Sequence, residues 1–365
     1  MVPAPCNGTA PVPPPAYQRA LAKHRSGLHL DARTIVETLH LLALCQLAVR
    51  LARPASPAAL PKGPGGAPRV YNDASLLLIA LLRTLWRLSL RDMRDWLVAW
   101  PALAAACGLP ADRQGRLRVP SPATMSKRAA AAGAPPYEVL LVEAVRQALR
   151  TRLIGARDLI IDSAPIKAWR RADPDARYGH APAHHPTAFL RGFRLHTLLC
   201  RGSGLPVAFR LAPANQHDAP FARPLLALAV RLYGLRVRTV RLDAAYWGPA
   251  LIAWIHTALG AVAVIPWNPK RTKDRSCLPP TWTREELGKR TSTERFFGRI
   301  MLFFRRVPTG CRPPLVGWTA LTQRVALTYT ASSIVGLAAQ HAGRPDLVRS
   351  PKRVLAHDWE GLLAS

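Results

Sequence analysis

Apolar positions recur along this chain in two rhythms, and the change from one to the other falls near residue 153. Before it the spacing is helical. Ile35, Leu39, Leu42, Cys45 and Val49 form one stripe, with Asp31 as a cap, and predict a helix running to about Arg53. The run SLLLIALLRTLWRL (75–88) reads as a well-buried helix. Ser89 with Asp92 approximates a capping box and opens a helix through about Trp100. Ser121-Pro122 supplies a cap and an N1 proline for a further helix over ATMSKRAAAA.

After residue 153 the apolar runs become short and β-branched. Leu159-Ile160-Ile161 reads as a strand buried on both faces that ends in Asp162, with a sharp turn expected at Ser163-Ala164-Pro165. A polar, basic, His-containing loop follows, from Arg170 to Pro186. Residues 192–201 and 205–214 predict two strands joined across Gly202-Ser203-Gly204. Helical spacing runs from Asp218 to about Tyr233. A strand over 237–248 ends in Asp243, a helix covers 249–259, and AVAVIP (261–266) is an apolar strand. A basic loop (268–275), a helix (291–306) and a last apolar helix, roughly Leu315 to Ala338, complete the pattern. Three antiparallel strands followed by alternating helices and strands is the topology of a ribonuclease H-like mixed sheet with flanking helices. In that topology the first and fourth strands are neighbours.

Composition adds organisation. Residues 1–16 are Pro-rich, and 54–68 (PASPAALPKGPGGAP) is a linker. The expected divisions are an arm, helix and linker (1–69), an all-helical region (70–152), the mixed-sheet domain (153–340) and a basic tail (341–365). The net charge of +30 and a pI near 11.4 point to a polyanionic partner, nucleic acid before a membrane surface. The abundance of Arg, Ala and Pro also reflects GC-rich coding, which tempers that argument. Six scattered cysteines make no CxxC pair, so neither a disulfide framework nor a zinc spacing is expected. No signal peptide or transmembrane run is read, and the expected compartment is the cytoplasm.

Candidate chemistry lies where the topology gathers it: Asp162 ends the first strand, Asp243 the fourth, and Glu294 lies on a late helix. Hard carboxylate oxygens of this kind hold two Mg²⁺ ions about 3.5–4 Å apart for phosphodiester chemistry. Each residue also has a plainer reading. Glu294 makes a capping box with Thr291, and Asp243 could start a turn. Asp218, following Asn215 and His217, is a further acid and is read as a helix cap. His180, His184 and His185 fit a solvated loop against DNA better than a metal site. Lys270, Arg271, Lys273 and Arg275 form a basic loop next to the acids. Trp169, Trp247 and Trp267 are read as core, although one near the acids could stack on an extruded base. Arg83, Arg87, Arg91, Arg94, Lys127 and Arg128 mark the helical region for phosphate contact.

The segments IIDSAPIKAW, GFRLHTLLCRGSGLPVAFRLAPANQHD, VRLDAAYWG, VIPWNPKR and TSTERFFGRI occur in an order that resembles bacterial insertion-sequence DDE transposases. The likeness spans roughly residues 70–335, and its helical part resembles their DNA-binding region. It implies that Asp162, Asp243 and Glu294 form the acidic triad, with 243 − 162 = 81 and 294 − 243 = 51 residues between them. The second gap leaves no room for a large β insertion. Of the Tyr-Arg-Glu-Lys signature of one subgroup, Arg290 matches, while Leu287 and Met301 hold the tyrosine and lysine positions. Arg299 or Arg305 would then take the phosphate contact. The resemblance further implies two Mg²⁺ (or Mn²⁺) ions, double-stranded DNA as partner (terminal inverted repeats and target), a homodimer, and action at the bacterial nucleoid. A nuclease of the same fold without strand transfer, or an inactive DNA-binding descendant, are the alternatives.

Overall fold

A computed structural model of the chain describes residues 39–52, 70–181, 187–268, 296–298, 306–307, 310–311, 315–351 and 354. Its first half is helical: α1 (Leu39–Ala52), α2 (Asp73–Leu85), α3 (Leu90–Ala99), α4 (Pro101–Ala106), α5 (Pro122–Ala132) and α6 (Pro135–Arg150). Leu42, Cys45 and Val49 of the predicted stripe are buried in α1, whereas Asp31 and Ile35 lie outside the described residues. The start of α2 is earlier than the apolar run suggests, because Asn72 caps it by accepting from the Ser75 amide at 2.6 Å. The Ser89/Asp92 capping box of α3 is formed in both directions, at 3.1 Å each way. Ser121 caps α5.

Two of these helices went unpredicted. Helix α4 follows α3 directly and begins at Pro101. Helix α6 hides behind an Ala/Gly/Pro-rich approach, but Tyr137, Leu140, Leu141, Ala144, Val145 and Ala148 give it a buried face at helical spacing.

The second half builds the sheet: β1 (Asp158–Lys167), β2 (Arg177–His180), β3 (Phe189–Cys200), β4 (Pro206–Pro213), then α7 (Ala219–Tyr233), β5 (Thr239–Arg241), α8 (Pro249–Leu259) and β6 (Val262–Val264). Strand β1 is central, antiparallel to β3 and parallel to β5. Strand β4 lies antiparallel beyond β3, and β6 parallel beyond β5. The order β4-β3-β1-β5-β6 is the ribonuclease H-like arrangement expected. Leu159, Ile160 and Ile161 are fully buried, as a strand covered on both faces requires.

Three expectations need correction. The chain does not turn at Ser163-Ala164-Pro165, since β1 stays paired with β3 through Lys167. Proline is tolerated there for a geometric reason. The Asp158 carbonyl and the Ala168 amide both bond to the β3 side, at 3.0 and 2.9 Å, so even positions of β1 face β3. Pro165 therefore turns its donor-less nitrogen to the side where pairing with β5 has already stopped, at Ile160. The basic loop after β1 contains a strand, β2, which pairs with β3 from Arg177↔Gly192 to His180↔Phe189. It abuts the end of β4 so closely that a Cβ on Gly179 would fall 1.9 Å from the Ala214 carbonyl oxygen. Finally, Arg306 is not the end of a helix. Arg306–Val307 (β7) pairs antiparallel with Gly310–Cys311 (β8), while Phe296–Gly298 is helical.

The last helix, α9 (Trp318–His341), is buried nearly all round, from Leu321 to Ala339. It joins the two halves by packing on α1, α2 and α6 on one side and on β4 on the other. Its N-terminus is held by the loop after β1. The Gly317 amide donates to Asp173 at 3.0 Å and the Trp318 amide to Asp175 at 2.7 Å, so two carboxylates meet the positive end of the helix. No described helix is long and apolar enough to cross a membrane.

Candidate active site

Parallel pairing of β1 with β5 sets Asp158 opposite Thr239, Leu159 opposite Val240 and Ile160 opposite Arg241. The last of these pairs lies two residues before Asp162 on β1 and two residues before Asp243, which follows β5. Both are half-buried, each next to fully buried residues (Ile161 and Leu242) that fix the backbone beneath it. The Ser163 amide donates to Asp162 Oδ1 at 2.8 Å. Asp243 caps a one-turn 3₁₀ helix, Ala244–Tyr246, by accepting from the Ala244 amide. The turn-forming reading of Asp243 is thus correct.

By strand alternation, Asp162 and its cross-strand partner Thr197 share one face of the sheet. On that face Thr197 is hydrogen-bonded to the Tyr329 hydroxyl of α9. Ser163, Arg194 and His196 lie on the other face and meet Asp218. Asp218 occupies the cap position of α7 but makes no side-chain cap bond, which corrects its reading as a helix cap. Its carboxylate accepts from Ser163 Oγ at 2.9 Å and from Arg194 Nη1 at 3.1 Å to each oxygen, with His196 Nδ1 3.7 Å away. His196 is fully buried and stacked on Phe221, ring centres 4.2 Å apart.

Burial pushes the His196 pKa down to about 4, with Asp218 opposing the shift and Arg194 reinforcing it, so the ring is neutral. The Tyr246 hydroxyl lies 3.3 Å from His196 Nδ1. Burial, then the Asp218 and Asp162 charges, hold its pKa well above the ordinary phenol value. Ser163, Arg194, His196 and Tyr246 were missed in the sequence. A faint signal existed, because Arg194 and His196 are polar at alternating positions of a mostly apolar strand.

Beside this network opens a cleft of about 270 Å³, lined by Arg194, Asn215, His217, Asp218 and Ala245, with Tyr178 at its rim. His180 is exposed, its ring tilted against that of Phe189 with centres 4.9 Å apart; His184 and His185 lie outside the described residues. So do Glu294, Arg290, Arg299, Lys270, Arg271, Lys273 and Arg275. Phe296 is described: it is 1% exposed and packs edge-on against Tyr329 at 5.5 Å. Among the described residues no group of three or more metal-ligating side chains forms.

In the helical region Lys127, Arg91 and Arg94 are exposed. Arg128 pairs with Asp73 and donates to the Tyr71 carbonyl at 3.4 Å, so its charge is engaged within the chain. Arg83 and Arg87 are half-buried, and burial lowers the pKa of both. Trp247 is core, whereas Trp169 is 36% exposed.

A family model described as a transposase DDE domain matches residues 154–343. No curated protein matches the chain. Among solved structures, the chain is similar to the cryo-EM structure of the piggyBac transposase synaptic complex with hairpin DNA, at 10% identity. That match covers 88% of this chain and 80% of the other, with a TM-score of 0.43. It is also similar to the crystal structure of the Mos1 strand transfer complex, at 15% identity over 83% of this chain and 80% of the other, with a TM-score of 0.29.

Proposed function

Because the family model covers more than half of its length, the chain belongs to the DDE transposase family, and we propose that Asp162, Asp243 and Glu294 are the carboxylates that carry its DNA cleavage and strand transfer. The observation that supports this reading is the parallel pairing of β1 with β5 within the matched segment, whose last pair, Ile160↔Arg241, lies two residues before each acid. Two acids brought together at the end of a sheet repel unless a cation lies between them. Their hard oxygens fit Mg²⁺ or Mn²⁺, and two such ions, when bound, supply the charge that activates the attacking hydroxyl and stabilises the leaving oxygen.

Support for Glu294 comes from Phe296, two residues later. Its buried ring packs on Tyr329, whose hydroxyl meets Thr197, the partner of Asp162 across β1 and β3. Lys270, Arg271, Lys273, Arg290 and Arg299 bind the DNA backbone near the acids, and exposed Lys127 with Arg91 and Arg94 extends that surface onto the helical region. In the first step water attacks the phosphodiester at the element's end and releases a 3′-hydroxyl. In the second, that hydroxyl attacks a target phosphodiester. Its oxygen bonds to phosphorus, the target's 3′ oxygen leaves, and the proton passes to it through solvent. A homodimer pairs two ends of the element, acting at the bacterial nucleoid.

The test is cleavage and joining of labelled DNA from the flanks of the gene to a target plasmid, with Mg²⁺, for wild type beside Glu294→Gln. Activity in wild type and none in the variant is the expected result. Equal activity in both would remove Glu294 from the triad. Cutting without joining would make the protein a nuclease, and DNA binding with neither reaction an inactive descendant.

A further inference from the structure

Beyond Lys167↔Gly192, the last pair of β1 with β3, strand β3 continues to Phe189 and pairs there with β2. Three rings stand together on this stretch. Tyr178 and His180 alternate with Gly179 and so share one side of β2. Phe189, the cross-strand partner of His180, is on the same side, with the two ring centres 4.9 Å apart. Tyr178 is 62% exposed and Phe189 54%, and large rings clustered at the surface mark a place where something binds. Gly179 decides what faces them. Its missing side chain lets β2 lie against the Ala214 carbonyl, and the exposed Asn215, Gln216 and His217 follow directly. Rings and polar groups thus line the same cleft of about 270 Å³. That cleft adjoins the candidate centre on both sides. Its wall includes Asp218, which accepts from the hydroxyl of Ser163, the residue after Asp162, and Ala245, two residues after Asp243.

We propose that this cleft takes a single unpaired nucleobase of the DNA, stacked on Tyr178 and Phe189 with its edge toward Asn215 and Gln216. The proposal rests on the reading of the chain as one that binds and cuts DNA. The lining sets the class of ligand. Arg194 and Asp218 pair with each other at 3.1 Å, so their charges cancel within the wall instead of holding a phosphate. What remains is flat apolar rings with amide donors and acceptors beside them, the complement of a base. In a duplex each base face is covered by its neighbours in the stack, so these rings select a base that has left its pair. The net charge of +30 makes DNA, rather than a peptide, the source of that ligand.

The experiment measures binding of the full chain to duplexes from the gene's flank in which a mismatch leaves one nucleotide unpaired, at each position in turn, beside the perfect duplex. The same preparations are assayed for cleavage with Mg²⁺ and for melting temperature. At one position wild type is expected to bind the unpaired probe about tenfold more tightly than the perfect duplex. An abasic residue at that position is expected to abolish the preference, because the backbone remains and the base does not. Tyr178→Ala and Phe189→Ala are each expected to reduce the preference about tenfold, whereas Tyr178→Phe, which keeps the ring, retains it. Melting temperature is expected to stay at the wild-type value, since both side chains are more than half exposed. In a wild type that cuts, equal binding of all probes would overturn the base site alone. So would a preference that survives the abasic residue or both alanine substitutions. A wild type that binds none of the duplexes would overturn the DNA reading beneath the site and the site with it.

Discussion

Strand β1 carries two aspartates of opposite character. Asp158 and Asp162 are four residues apart on one strand and, by alternation, share one side of it. Asp158 lies where β1 is paired with β3 and β5 alike. Its carboxylate accepts from Arg241 at 3.1 Å and from Arg201 at 2.5 Å, so its charge is compensated twice. Asp162 lies past the end of the β5 ladder and belongs to the proposed triad. An acid beside arginines holds the sheet together, whereas the acid of the proposed triad is, on that reading, retained for what it binds. Position within the sheet separates the two roles.

The sharpest way to break this contrast is to neutralise the functional side of it. Asp243→Asn is expected to cut DNA cleavage about a thousandfold, the several kcal/mol that cation-held charge contributes at about 1.4 kcal/mol per factor of ten. DNA binding is expected to persist in a gel-shift measurement. Neutralising the structural side should do the reverse. Asp158→Asn removes the carboxylate that Arg201 and Arg241 share and is expected to lower stability in denaturant unfolding. Cleavage per folded molecule should stay within a few-fold of wild type.

A comparable effect comes from acid. His196 titrates near pH 4 when folded and near its ordinary 6.5 when unfolded. The unfolded chain therefore takes up the proton first, and stability falls as pH drops from about 6.5 to about 4, by about 3 kcal/mol in all. His196→Gln is expected to flatten that slope, and parallel slopes in both proteins would contradict the buried, neutral ring. The smallest effect distinguishes neighbours on α5. Lys127→Ala should weaken DNA binding and reduce its salt slope by about 1. Arg128→Ala, by losing its pairing with Asp73, should lower thermal stability instead.

How much of this was legible varies with how local the cause is. The mixed sheet could be read because its strands are short apolar runs and its helices carry caps, as at Ser89 and Ser121. The two acids could be found because each closes such a run. What was misread depends on neighbours distant in sequence. Ser163-Ala164-Pro165 looks like a turn until β3 pairs with it and β5 stops short of it. The four-residue β2 carries no apolar run and exists as a strand only because β3 extends beside it. Asp218 has the sequence of a helix cap, and its partners, Ser163 and Arg194, are 55 and 24 residues away. Tyr246 looks like an ordinary core aromatic until the fold brings His196 to its hydroxyl.

The measurement that bears most directly on the central claim is Mn²⁺ binding and DNA cleavage on the same preparations of wild type and Asp162→Asn, with melting temperatures taken in the absence of metal. Wild type is expected to bind Mn²⁺ and cut. The variant is expected to do neither, yet to melt close to the wild-type temperature, because Asn keeps the oxygen that accepts from the Ser163 amide. A variant that binds Mn²⁺ and cuts as wild type does, or one that simply unfolds, would contradict the assignment of Asp162 to chemistry rather than to structure.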